Sequence, residues 1–141
     1  MSLVLDTDHL TLVERGGSGS LALEMRLVQF PEGEIATTII TYEEQMRGWM
    51  TRVSQASTPE RMVATYARLS GHIETFANLV IFPFDVAAAE QYEVLVRMRV
   101  RIGTQDLRIA LICLAIDATL LTRNMKDFGK VPGLRAEDWS A

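Results

Sequence analysis

The chain has 141 residues, 48% of them hydrophobic and 23% charged, with a formal net charge of −4. That length suits one domain, residues 1–141, able to bury on the order of two thirds of its unfolded surface. An acidic total argues against a protein that coats nucleic acid by net charge alone. The single cysteine, Cys113, excludes an intramolecular disulfide, and the longest apolar run, residues 109–116, falls far short of the ~18 residues of a membrane span. With Asp6 and Asp8 interrupting the first apolar stretch too early for a secretory leader, the expectation is a cytoplasmic protein with no membrane partner.

In chain order, LVL (Leu3–Leu5) is a short unalternating apolar run, the pattern of a strand covered on both faces. It runs straight into Asp6 and Asp8. Aspartates favour turns because they bond nearby backbone N–H groups; the same pair could instead hold something positive. ERGGSGS, residues 14–20, reads as a loop. EIATTII (Glu34–Ile40), rich in β-branched residues, predicts a second strand. Tyr42, Met46, Trp49 and Val53 follow at helical spacing. Thr58 and Pro59 restart a helix as N-cap and first-turn proline, and Met62, Tyr66, Leu69, Ile73 and Phe76 continue it. Two successive helices with narrow apolar seams predict a helical hairpin. LVIFPF (Leu79–Phe84) predicts a third strand ended by Pro83, with Asp85 capping the helix after it. Gly103 breaks, Thr104 caps, and residues 107–116, apolar nearly all round, predict a helix buried within the domain. Thr119–Thr122 predicts a fourth strand, and VPGLRAEDW holds a turn and a last edge strand.

This alternation predicts an α/β domain with a parallel sheet, whose ligands bind at the carboxyl ends of the strands. On that rule Asp6 follows strand 1, Glu43 and Glu44 follow strand 2, Asp106 opens the buried helix, and Asn124 and Asp127 follow strand 4. Each has a local explanation. Asp6 and Asp8 suit a turn. Thr41-x-x-Glu44 matches a capping box, and Glu43 suits solvent. A first-turn carboxylate such as Asp106 gains roughly 0.3–1 kcal/mol from the helix dipole. Asn124-x-x-Asp127 is a common local pattern. Jointly, however, acids from four distant segments would converge on one edge, where they repel unless a cation joins them. Oxygen-only donors point to Mg²⁺ or Mn²⁺ rather than zinc.

His9 adjoins this group and either touches a phosphate or packs structurally, the second being the favoured reading; His72 and Cys113 read as structural. Arg97, Arg99 and Arg101 precede Asp106, and Arg123 lies beside Asn124. A solvated face is the default for such charges, yet beside an acidic metal site they would suit a polyanionic substrate.

With those residues in place, the sequence resembles the PIN-domain ribonucleases, and among them the VapC-type toxins of bacterial toxin–antitoxin pairs. LVLDTDHL is similar to the family's first motif, supplying Asp6 and the small hydroxyl Thr7. IITYEEQMRG is similar to the second, with Glu44 in the acidic place and Gly48 closing it. RIGTQDLRIALICLA is similar to the third, with Asp106 central, and LLTRNMKDFGKVPGLRAEDW to the C-terminal stretch, with Asn124 and Asp127 at its polar positions. The likeness runs from about residue 3 to 139. Leu111 and Leu114 stand where alanines are more usual, and residues 48–78 carry nothing diagnostic.

The resemblance implies a PIN-like (Rossmann-like) parallel sheet flanked by helices, with the helical hairpin after strand 2 clasping an antitoxin. It implies a Mg²⁺- or Mn²⁺-dependent endoribonuclease, a homodimer, and a cognate antitoxin that covers the site. Asp6 and Asp106 would bind the principal metal, with Glu44 and Asp127 completing the cluster. Thr7 and Asn124 would orient them, and Arg97, Arg99, Arg101 and Arg123 would contact the RNA backbone. Asp8 stays outside the quartet. A metal-activated water would attack phosphorus in line and leave a 5′-phosphate. Two alternatives stand beside this one. Asp6-x-Asp8 echoes the haloacid dehalogenase-like phosphohydrolases, although Leu10 and TRNMKDF fit them poorly; the other is a catalytically inactive PIN-like binding module.

Overall fold

The computed structural model describes residues 2–15 and 20–140. Its elements run β1 (Leu3–Leu5), α1 (Thr7–Arg15), α2 (Leu21–Leu27), β2 (Ile35–Thr38), α3 (Ile39–Gln55), α4 (Pro59–Ala77), β3 (Val80–Phe82), α5 (Val86–Arg97), α6 (Thr104–Ile116), β4 (Thr119–Leu121), α7 (Met125–Phe128) and β5 (Arg135–Glu137). The five strands form one sheet in the order β3-β2-β1-β4-β5, and every neighbouring pair is parallel. This is the PIN-like α/β arrangement that the resemblance implies, including the helical hairpin α3–α4 after the second strand.

Strand β1 lies at the centre because its three residues are all apolar and all buried. Successive side chains of a strand point to opposite faces, so β1 feeds two cores. Val4 joins Leu120, Leu95 and the buried run Ile109–Cys113 beneath α5 and α6. Leu3 and Leu5 join Leu10, Leu23, Phe76, Leu121 and Trp139 on the other face. Helix α6 is fully buried over residues 109–113, as its unbroken apolar sequence requires.

Helix ends follow local chemistry. The Thr58 hydroxyl accepts from Arg61 N–H and Pro59 occupies the first turn of α4. The Asp85 carboxylate accepts the Ala88 N–H at 3.1 Å. Asp85→Ala is therefore expected to cost about 1 kcal/mol, read as a shift in the urea midpoint; an unchanged midpoint would remove the cap from the account.

Several boundaries differ from the sequence reading. Strand β2 stops at Thr38, whose hydroxyl accepts the Thr41 N–H at 3.1 Å. Thr38, not Thr41, is thus the cap of α3, and Glu44 is released from a capping box. Gly103 rather than Thr104 precedes α6, with no side-chain cap bond. Helices α1 and α2 were not anticipated. Of the loop expected at residues 14–20, residues 16–19 lie outside the described residues, and Glu14 and Arg15 belong to α1. Among the described residues no helix is long and apolar enough to cross a membrane.

Candidate active site

The site forms where β1, α3, α6 and the turn after β4 meet. Asp6 directly follows β1, and its N–H still bonds Leu121 O at 3.1 Å, so strand pairing carries it to the edge. The residue is only 6% exposed. One oxygen accepts the His9 N–H at 3.2 Å, capping α1; the other accepts the Thr122 hydroxyl. Asp6 therefore does the turn-forming work that its residue type suggests and still stands at the strand end. Thr122, fully buried, also accepts the Asn124 N–H at 2.9 Å. The Asn124 side-chain amide then donates to Asp106 Oδ2 at 3.2 Å and to Asp127 Oδ2 at 3.1 Å. On the opposite side the Thr7 hydroxyl donates to Glu44 Oε2 at 3.2 Å.

Hydroxyl and amide donors thus link carboxylates from four segments. Desolvation is the leading reason that the Glu44 carboxyl is pushed above its ordinary range; Asp106 and Asp6 nearby add to it, against the lowering effect of the Thr7 bond. Asp106 is pushed up by burial, then by Asp127 and Asp6. Such a group of mutually repelling oxygens gains from a hard cation. Among the described residues no three His, Cys, Asp or Glu side chains stand ready to enclose a metal ion. Mg²⁺ does not demand that: it keeps several waters and is typically held by one or two carboxylates. The donor set fits it, being oxygen only. Cys113 is buried in α6 with its thiol pushed up to about 12 by desolvation, which leaves it inert.

Not every candidate joins the cluster. Asp8 is exposed on the first turn of α1. Glu43 turns aside, accepting from Gln105 Nε2 at 3.1 Å and pairing with Arg47 at 2.6 Å; the Gln105 bond leads in holding its carboxyl low. Arg97 ends α5 and lies 3.7 Å from Glu93, while Arg99 and Arg101 are exposed on the segment before α6, Arg99 with φ 55°. Arg123 is exposed next to Asn124 and helps to hold the Asp138 carboxyl low, after the dominant Ser140 bonds. Among the described residues, none of these four arginines pairs with Asp6, Glu44, Asp106 or Asp127, whereas Lys130 lies 3.6 Å from Asp127.

Two residues acquire roles that the sequence did not assign. Thr122 read only as a strand end, yet it joins Asp6 to Asn124. His9 is wholly buried and cannot touch a phosphate. Its Nε2 accepts the Trp139 N–H at 3.1 Å, which places the ring proton on Nδ1, 3.7 Å from Asp6 Oδ1. The ring packs behind the aspartate, with Nδ1 buried and without a hydrogen-bond partner.

The chain is thus an α/β protein with an all-parallel five-stranded sheet and carboxylates at its carboxyl edge. No protein-family model and no curated protein sequence matches the chain. Solved structures do share its fold. One is VapBC2 from Rickettsia felis bound to a DNA fragment from their promoter, with 24% identity, 99% of each chain covered and a TM-score of 0.72. A second is VapBC-1 from nontypeable Haemophilus influenzae, at 21% identity, 100% of each chain and 0.68. A third is VapBC-5 from Mycobacterium tuberculosis, a member of the VapBC family of toxin–antitoxin systems, at 24%, 98% of each chain and 0.59. At these identities the likeness establishes the fold.

Proposed function

We propose that the chain is a Mg²⁺- or Mn²⁺-dependent endoribonuclease, the toxin of a VapBC-type pair. The observation that carries this reading is the linkage of Asp6, Glu44, Asp106 and Asp127, through Thr7, Thr122 and Asn124, at one sheet edge. Whole-length likeness to chains of VapBC complexes supports an antitoxin as partner. The same reading includes a homodimer working in the cytoplasm.

In this site Asp6 and Asp106 would hold the cation, with Glu44 and Asp127 completing the negative surface. When bound, the cation supplies charge neutralisation for the phosphate and makes water a stronger acid. Thr122 and the His9 N–H fix both oxygens of Asp6. Asn124 keeps two repelling carboxylates in register. Glu44, bonded by the Thr7 hydroxyl, would complete the acidic cluster directly or through water.

A phosphohydrolase of the haloacid dehalogenase type would use Asp6 as nucleophile and Asp8 as acid. Asp8 is exposed on the first turn of α1, apart from the carboxylates held by Thr7 and Asn124, which favours the nuclease. The purified chain should cut single-stranded RNA with Mn²⁺, leave 5′-phosphate ends, and stop on adding a chelator. Turnover of a phosphomonoester with RNA left intact would favour the phosphohydrolase. Absence of Mn²⁺ binding by calorimetry would favour the inactive binding module.

A further inference from the structure

We infer that a groove leading away from Glu44 carries the flanking RNA strand, with Arg52 and Arg68 as its phosphate anchors; the inference rests on the nuclease reading above. Two depressions, of about 270 and 440 Å³, adjoin because both are lined by Thr11, Gln45 and Arg52. The first begins at Thr7 and Glu44, and the second ends among Arg68, Gly71 and His72. The lining follows helical periodicity: Gln45, Gly48, Trp49 and Arg52 share one face of α3, and Arg68, Gly71, His72 and Thr75 one face of α4. From Glu44 to Arg52 is about 12 Å along α3, at ~1.5 Å per residue. A single strand covers that in a few nucleotides.

The charge at the far end is arranged for an anion. The Arg52 guanidinium lies 4.6 Å and the Arg68 guanidinium 5.5 Å from the centre of the Trp49 ring. Stacking on an indole positions a guanidinium without consuming its N–H donors. Among the described residues neither arginine is paired with a carboxylate. Glu14, which lines the same depression, is taken by His72 Nδ1 at 2.9 Å. The floor is kept low by Gly48 and Gly71, where an added Cβ would meet nothing within 4 Å. A groove that begins at an acidic site and ends in two stacked cations, with little side-chain bulk between, fits a sugar–phosphate backbone.

The test measures affinity for a labelled single-stranded RNA oligonucleotide by anisotropy across a salt series, using the full chain with Asp106→Asn to prevent cleavage. Adding Arg52→Gln and Arg68→Gln together should lower the salt slope by about 1.4, two phosphate contacts at about 0.7 each. Arg52→Lys with Arg68→Lys should keep the slope. Gly48→Leu, whose Cβ meets nothing within 4 Å, should weaken binding with the melting temperature maintained, so that loss of binding is separated from loss of fold. An unchanged slope in the glutamine pair overturns the inference; if binding of polyglutamate is lost in that pair instead, the groove belongs to an acidic protein segment. Failure of the nuclease reading looks different: the wild-type chain leaves RNA intact in Mn²⁺ while the slope still falls, and the groove stands as an RNA-binding one.

Discussion

Asp106→Asn is expected to abolish RNA cleavage and, in the same protein, to raise the melting temperature of the metal-free chain. The first effect follows from removing one negative oxygen from the place where a cation would sit, and a loss of about 10²–10³-fold or more is the scale for a group that stabilises transition-state charge. The second follows from the raised carboxyl of Asp106, caused by burial and by Asp127 and Asp6. A carboxyl raised in the folded state costs stability at every pH above its folded value. That cost fades as pH falls through that value and is gone below the unfolded one. Asparagine removes the cost and still presents an oxygen to Asn124. Solvent screening of this half-buried group keeps the gain to a small upward shift in melting temperature. The gap between variant and wild type should be widest near neutrality and close on acidification. Mn²⁺ should reverse it, because only the wild type gains from binding. Thermal melts in chelator and in Mn²⁺, at two pH values, read all of this. A variant that melts earlier in chelator would show that Asp106 is a structural acid.

Thr122→Val should be the most damaging small substitution in the site. Valine has nearly the same shape but no hydroxyl. It leaves the carboxylate of buried Asp6 without one of its two donors, and the Asn124 N–H without its acceptor. Loss of a bond to a charged group together with an orphaned N–H costs about 3 kcal/mol. Because Thr122 orients both Asp6 and Asn124, Mn²⁺ affinity should fall about 10–100-fold as well. Thr122→Ser restores the hydroxyl and should recover most of both losses. Urea denaturation and calorimetric Mn²⁺ titration measure them. If valine binds Mn²⁺ as the wild type does, the threonine is packing alone.

The parts legible in the sequence were those set by local composition. Leu3–Leu5 and Thr119–Leu121 are short apolar runs, and the sheet places them side by side at its centre. The caps at Thr58 and Asp85 and the buried helix after Gly103 carry their signals within a few residues. Helix α1 was hidden because Asp6 and Asp8 read as turn formers or ligands, whereas the Asp6 carboxylate caps α1 at the strand end. The capping-box pattern at Thr41–Glu44 misled for a related reason: β2 gives way to α3 three residues earlier, at Thr38. Thr122 and His9 were out of reach because their partners are 116 and 130 residues away in sequence. No periodicity encodes a bond that depends on β1 lying beside β4 or on Trp139 folding back behind α1.

That distance also orders events during synthesis. Asp6 emerges from the ribosome well before Thr122, which orients it, and before the Trp139 N–H, which bonds the His9 ring behind it, 116 and 130 residues separating the partners. Contacts so far apart along the chain close late. A nascent chain therefore carries its acids long before they share a cleft. On the nuclease reading, the transcript that encodes it and the ribosome that makes it are spared until the stretch bearing Thr122 and Trp139 has been made.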